Sequence, residues 1–217
     1  MSNALPSNQQ QSFLAELREQ RWDDHRYYHQ SRVNQSLHLL SACCFLTTYV
    51  LIPVAPVAAA LLGWVAAMWI RQIGHFFFEP KGFDHVNQAT FEHKEDIKVG
   101  FNLQRKVILL AVWLTIPLVL ATTPTLFGLM PHHGDFDGLV HRTAIAWLIL
   151  AASGLLARTL WLCVTRSVQT GVVWFTKIIT DPFHDIILYH RAPLHLLRGE
   201  WFDPMDHVTH ETARRTG

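Results

Sequence analysis

The sequence predicts an all-α fold: an integral membrane helical bundle of about four transmembrane helices, flanked by interfacial amphipathic helices. Three observations carry that expectation. Charged residues are 16% of the 217 and apolar residues 50%, whereas an average soluble protein is about 25% charged. Asp, Glu, Lys and Arg are missing from 33–70 and again from 107–134, and a spanning helix needs about 20 mainly apolar residues. Fourteen histidines concentrate near the ends of the apolar runs. Histidine is the commonest metal ligand and the side chain that titrates nearest neutrality.

In chain order, residues 1–11 are rich in Asn, Gln and Ser and are expected to be a disordered tail. A single membrane domain then covers 12–202. Its first element is an interfacial helix over 12–32, with Phe13, Leu14, Leu17 and Trp22 on one side and Tyr27 and Tyr28 suited to the membrane interface. The apolar run that follows is divided by Pro53 and Pro56 into two spans, 37–52 and 56–72. Proline disfavours helix at the residue before it and removes a backbone donor, so the turn belongs there. A polar segment, 71–106, leads to a third span over 107–130, with Pro117 as a tolerated kink, and a fourth over 140–164. Residues 167–197 are expected to lie in the interface, with Asp181-Pro182 starting a second helix, and 203–217 to be a loose tail.

Charge and cysteine exclude several function classes. A net charge of +1 without a basic stripe argues against nucleic-acid binding. Cys43, Cys44 and Cys163 all sit in apolar stretches without a CxxC pair, so they read as small buried hydrophobes. The first nineteen residues carry no apolar core of a signal peptide. Lys and Arg gather in the N-terminal segment, in 71–106 and at the C-terminus, and are missing from the 53–56 turn and the 131–138 loop. The positive-inside rule then puts both termini in the cytoplasm, with the bacterial inner membrane the expected location.

Two polar clusters on that same side carry the candidate chemistry. In Arg71-Gln72-Ile73-Gly74-His75-Phe76-Phe77-Phe78-Glu79-Pro80, helical spacing puts Gln72, His75 and Glu79 on one face. A carboxylate four residues after a histidine at the mouth of a membrane helix suits metal binding or proton transfer. Upstream, His25 and His29 are four apart, as are Asn34 and His38. Nine residues separate His29 from His38, which on one straight helix points them opposite ways. Either the helix breaks near 31–34 or one of the two is outside the site. Glu79 needs a cation, a proton or an ion pair with Arg71 or Lys81, and those two basic residues are alternatively candidates for a substrate head group. His85 and His93 belong to a polar, mixed-charge stretch. Histidines and carboxylates without clustered cysteines fit iron or zinc better than calcium or an iron–sulfur cluster.

The order Tyr28-His29-x4-Asn34-x3-His38, an apolar hairpin, then Gln72-Ile73-Gly74-His75-x3-Glu79 resembles the Fe(II)-dependent 2-hydroxy fatty acid dioxygenases, the α-oxidation membrane enzymes and their bacterial relatives. The resemblance implies His29, His38 and His75 as iron ligands, with Asn34, Gln72 and Glu79 in catalytic, supporting or fourth-ligand positions. His25, His85 and His93 form a second tier, and His85 or His93 can be imagined at a second metal. It further implies Fe(II) as cofactor, O2 as co-substrate, a lipid or fatty acid as substrate, and shortening of a 2-hydroxy fatty acid by one carbon. Two rivals remain. A di-iron hydroxylase or desaturase expects more histidine boxes than His25/His29 and His132/His133 supply. A non-catalytic membrane scaffold or transporter subunit expects no metal. Oligomeric state is not legible.

Overall fold

The computed structural model describes residues 11–99, 103–132 and 134–205. The expected tails fall largely at 1–10 and 206–217, and His133 is also outside the described residues. Helix α1 is Phe13–Tyr28 and α2 is Arg32–Leu51. Next comes α3, Pro56–Phe78, a continuous helix with π-helical turns at Leu62–Met68 and Gly74–Phe78. The rest are α4 (Phe91–Ile97), α5 (Leu103–Thr122), α6 (Phe136–Thr165), α7 (Val168–Tyr189) and α8 (Ala192–Leu197). Among the described residues there is no strand, only two isolated bridges.

Local chemistry accounts for the helix starts. Side-chain oxygens of Ser12, Ser31, Thr90, Asp135 and Ser167 accept from backbone N–H groups of the first turn, which satisfies donors the helix itself leaves unpaired. Pro56 opens α3 in the first turn, where its missing N–H costs nothing. The turn between α2 and α3 lies at 52–55, as the prolines predict.

Among the described residues three helices are long and apolar enough to cross a membrane: Pro56–Phe78, Gln104–Thr122 and Phe136–Thr165. That is one fewer than the expected four, and the helix over the segment expected to span at 37–52 is not one of them. Its helix, α2, turns Asn34, Gln35, His38 and Ser41 inward and leaves Leu40, Val50, Cys43 and Thr47 outward. Polar residues inside the bundle lower its apolar content without exposing any of them.

Three boundaries differ from expectation for identifiable reasons. The 107–130 segment stops being helical at Thr122, just before Thr123-Pro124, where proline restricts the preceding residue. Leu126 and Phe127 then adopt positive φ in a tight turn. Asp181-Pro182 does not start a helix, because α7 runs straight through Pro182. Nor does α7 stand apart from the bundle. It packs lengthwise on α2 and α6, burying Lys177, Asp181, Asp185 and Tyr189 and leaving Val168, Val172, Ile179, Phe183 and Ile187 outside. That polarity is inverted relative to a soluble amphipathic helix.

An aromatic core joins α3, α5 and α6. Trp64 and Trp113 have ring centroids 4.1 Å apart, Trp147 lies 5.5 Å from Trp64, and the Trp147 indole donates to the Trp113 carbonyl at 3.0 Å. The α2–α3 contact is built from small residues, with Ala42 and Ala67 fully buried and Ser41 Oγ donating to the Ala67 carbonyl at 2.8 Å.

The α6–α7 contact depends on Gly171. A Cβ there would meet Cys163 Sγ at 2.3 Å, the Thr159 carbonyl at 2.8 Å and the Cys163 amide at 3.0 Å. The sulfur can rotate away but the backbone cannot. Gly171→Ala should cost about 1–3 kcal/mol, the usual range for overpacking, seen as a lowered melting temperature in detergent. An unchanged melting temperature would mean the two helices are not seated this closely.

Candidate metal centre

His29, His38 and His75 converge from three different places in the chain. Each offers a ligand atom within 4.8 Å of the others. Ring centroids are 4.1 Å apart for His29–His38, 4.9 Å for His38–His75 and 5.4 Å for His29–His75. Of the two alternatives for His29 and His38, the helix break is the one that occurs. Helix α1 ends at Tyr28, His29 caps it with φ −118°, and α2 starts after Ser31. The two rings thereby face the same point from separate helices.

His75 arrives from the π-helical turn Gly74–Phe78 at the end of α3. Insertions of this kind recur at functional sites because they re-aim side chains. Gln72, His75 and Glu79 are buried together while Ile73, Phe77 and Phe78 point outward, as the helical spacing predicts. Gly74 lets α3 approach α2, since a Cβ at this position would lie 2.1 Å from Asn34 Oδ1.

The site is buried and contains polar atoms without a protein partner. Both ring nitrogens of His29 and of His38 are buried without a hydrogen-bond partner, as are Asn34 Oδ1 and Gln72 Oε1. Buried polar atoms are almost always paired, and leaving one unpaired costs about 1–3 kcal/mol. A cluster of this many orphans fits a site whose remaining partner is a metal ion. Three imidazoles are also a borderline-soft nitrogen set suited to iron or zinc.

Two of the histidines are oriented by carboxylates. His75 Nδ1 is 2.7 Å from Glu79 Oε2, which leaves Nε2 for a ligand and raises its basicity. His38 Nδ1 is 3.7 Å from Asp185 Oδ2, and the same oxygen accepts from Arg71 Nη1 at 2.8 Å. Burial pushes the Asp185 carboxyl up, but Arg71 and His38 outweigh it and hold the carboxyl well below its usual range. Burial, with the neighbouring His38 and Arg71 adding to it, pushes His29 well below its ordinary value, so the ring stays neutral and able to ligate. Burial also raises the Glu79 carboxyl, against the opposing pull of Lys98.

The other sequence candidates have separate places. Asn34 is fully buried and donates Nδ2 to the Tyr28 carbonyl at 2.9 Å, and Gln72 Nε2 lies 3.4 Å from Met68 Sδ. His25 is buried one shell away, with Nδ1 3.2 Å from the Tyr189 hydroxyl, and the Tyr189 ring lies 5.7 Å from that of His29. His85 and His93 are exposed, as is Lys81, so none of the three reaches the cluster. Arg71 points at Asp185 rather than at Glu79, which instead has Lys98 at 3.7 Å.

Sequence reasoning missed Asp185, Tyr189, Gln35 and Asp203. A signal existed for the first two. Lys177, Asp181, Asp185 and Tyr189 recur every four residues on one face of α7, whereas the histidines of that stretch form no stripe. Asp24 and Asp181 hold Lys177, and Arg21 bonds Thr180 Oγ1 at 2.6 Å and pairs with Asp181, so α1 answers Lys177 and Asp181 while Arg71 of α3 answers Asp185.

Fold and site together define an all-helical protein with apolar helices of membrane-crossing length and a buried three-histidine cluster able to hold a metal ion. Residues 16–93 match the model of the Mpo1-like family, described as 2-hydroxy-palmitic acid dioxygenase Mpo1-like. The resemblance read from the two motifs is to this family, and the matched segment contains all three histidines. Neither the curated proteins nor the solved structures contain a match to this chain.

Proposed function

We propose that this protein is a membrane-embedded non-haem iron oxygenase that uses O2 to shorten a 2-hydroxy fatty acid by one carbon. One observation carries the reading: three buried histidines face one point with ring nitrogens that the protein itself leaves unsatisfied. The family match supplies the substrate class.

His29, His38 and His75 are the proposed ligands, and Fe(II), if held by them, would supply activation of O2 and affinity for the 2-hydroxy-carboxylate. Glu79 fixes the His75 ring and Asp185 the His38 ring, each through Nδ1. Asn34 Oδ1 and Gln72 Oε1 are buried acceptors without donors, and they are the proposed hydrogen-bond acceptors for the substrate hydroxyl. The bundle keeps water out, and the apolar flanks of α3, α5 and α6 suit the acyl chain. Arg71 is held by Asp185, so its contribution to a substrate head group runs through that pair. Lys81 can meet a head group only at the surface. The site is assigned to the cytoplasmic side of a bacterial inner membrane, from the Lys/Arg bias.

Among the described residues no second group of three metal-ligating side chains accompanies the cluster. His85 and His93 lie exposed, which favours one iron over a di-iron centre.

The test is oxygen uptake by detergent-purified protein reconstituted anaerobically with Fe(II). With 2-hydroxypalmitate, uptake should rise and a product one carbon shorter should appear by mass spectrometry, whereas palmitate should give neither. An iron-loaded protein that leaves 2-hydroxy acids of every chain length intact would sink this reading.

A further inference from the structure

His29 differs from the other two histidines in having no carboxylate behind its ring. Its nitrogens have no hydrogen-bond partner, so its direction is set by its backbone and by ring packing against His38, His75 and Tyr189. That backbone lies in the break between α1 and α2, where the His29 and Gln30 carbonyls leave the helical ladder and take partners elsewhere.

Those partners come from the far end of the chain. Asp203 N donates to the Gln30 carbonyl at 2.8 Å and Arg32 N donates to the Trp201 carbonyl at 2.9 Å, forming an antiparallel bridge between Ser31 and Phe202. The His29 carbonyl accepts from Gln35 Nε2 at 2.8 Å, and the same amide nitrogen donates to Asp203 Oδ2 at 2.9 Å. Arg32 Nη1 closes the set, 2.8 Å from Gln35 Oε1 and 2.9 Å from Asp203 Oδ2. Gln35 is 1% exposed and its amide is fully satisfied, while Met205 is fully buried just beyond Asp203. The segment expected to be a loose tail from 203 is thus tied in through its first three residues.

We propose that Asp203, acting through Gln35, is the positioning residue for the metal ligand His29, and that the strap Trp201–Met205 is part of the metal centre. Asp203 holds the Gln35 amide, Gln35 holds the His29 carbonyl, and the imidazole direction follows. Asp203 lies outside the segment matched to the family, so this chain completes its centre with its own C-terminal region. The inference rests on His29, His38 and His75 holding the metal.

The experiment uses the full chain in detergent, loaded anaerobically with Co(II) as an optical probe. Dissociation constants come from chelator competition, and the visible d–d bands report the ligand field. Asp203→Ala should weaken Co(II) binding about 10- to 100-fold, the usual effect of losing an outer-shell partner, and should shift the d–d bands. Asp203→Asn, which keeps an oxygen against Gln35, should fall between alanine and wild type in both readouts. A folded Asp203→Ala variant with wild-type affinity and spectrum overturns the inference. Should Asp203→Ala lose its helical circular dichroism, Gln35→Met decides the matter by removing the same link with similar side-chain volume. Weakened binding with shifted bands then supports the inference, and a wild-type spectrum overturns it. Wild-type protein that binds no Co(II) overturns the metal reading itself and this inference with it.

Discussion

Replacing His38 with alanine is expected to empty the metal centre while leaving the helical bundle folded. His38 is fully buried between the other two histidines, with centroids 4.1 Å and 4.9 Å away. Its removal halves the set of orphaned nitrogens that makes the site. The measurement is iron per chain after anaerobic Fe(II) loading and gel filtration, beside far-ultraviolet circular dichroism. Wild type should hold near-stoichiometric iron, and His29→Ala, His38→Ala and His75→Ala should each fall to background. His85→Ala and His93→Ala should retain iron, because both residues sit at the surface. Glu79→Gln should be intermediate, weakening affinity about 10- to 100-fold, since it keeps an acceptor for His75 Nδ1 but loses the charge. Iron retained by His38→Ala, or lost from His85→Ala, would place the metal elsewhere.

Asp185→Ala is expected to be the most destabilising single change near the site. Asp185 holds Arg71 at 2.8 Å and faces His38 at 3.7 Å, with only 7% of its side chain exposed. Removing one partner of a buried pair costs about 3–5 kcal/mol, because the other charge is left buried and uncompensated. Arg71 keeps 20% of its side-chain surface exposed, which puts the effect at about 3 kcal/mol, the lower end of that range. A large drop in melting temperature should therefore appear, with weakened metal binding through the loss of support for His38. Arg71→Ala combined with Asp185→Ala should recover part of the melting temperature but not the metal affinity. A double variant no more stable than Asp185→Ala would show that the buried guanidinium is not what destabilises the single variant.

Each of these predictions turns on a residue legible to a different degree in the sequence. The hairpin at 53–56, the inward face of Gln72, His75 and Glu79, and the apolar stretches that form α3, α5 and α6 are all readable, because they follow from local periodicity, hydropathy and proline sterics. The helix break that turns His29 toward His38 was readable only as one of two alternatives. Spacing alone says that two residues cannot share a face, not which residue leaves the helix. Hydropathy along the chain makes α2 an expected span and α7 an expected interfacial element with a helix start at Asp181-Pro182, whereas α2 is not among the helices of membrane-crossing apolarity and α7 runs through Pro182. Both have inverted polarity, and hydropathy along a chain does not say whether a polar face is turned in or out.

The sequence by itself determined an all-helical chain with apolar helices of membrane length and placed three histidines within two short motifs. It could do so because backbone hydrogen bonding in an apolar stretch and the spacing of side chains on a helix are local properties. Tertiary structure alone decided that Asp185 supports His38, that Arg71 answers Asp185 rather than Glu79, and that Asp203 reaches back to the turn bearing His29. Those pairings join residues more than a hundred positions apart. No local rule relates them, and they exist because burying a charge or an open backbone amide is costly until some distant segment supplies its partner.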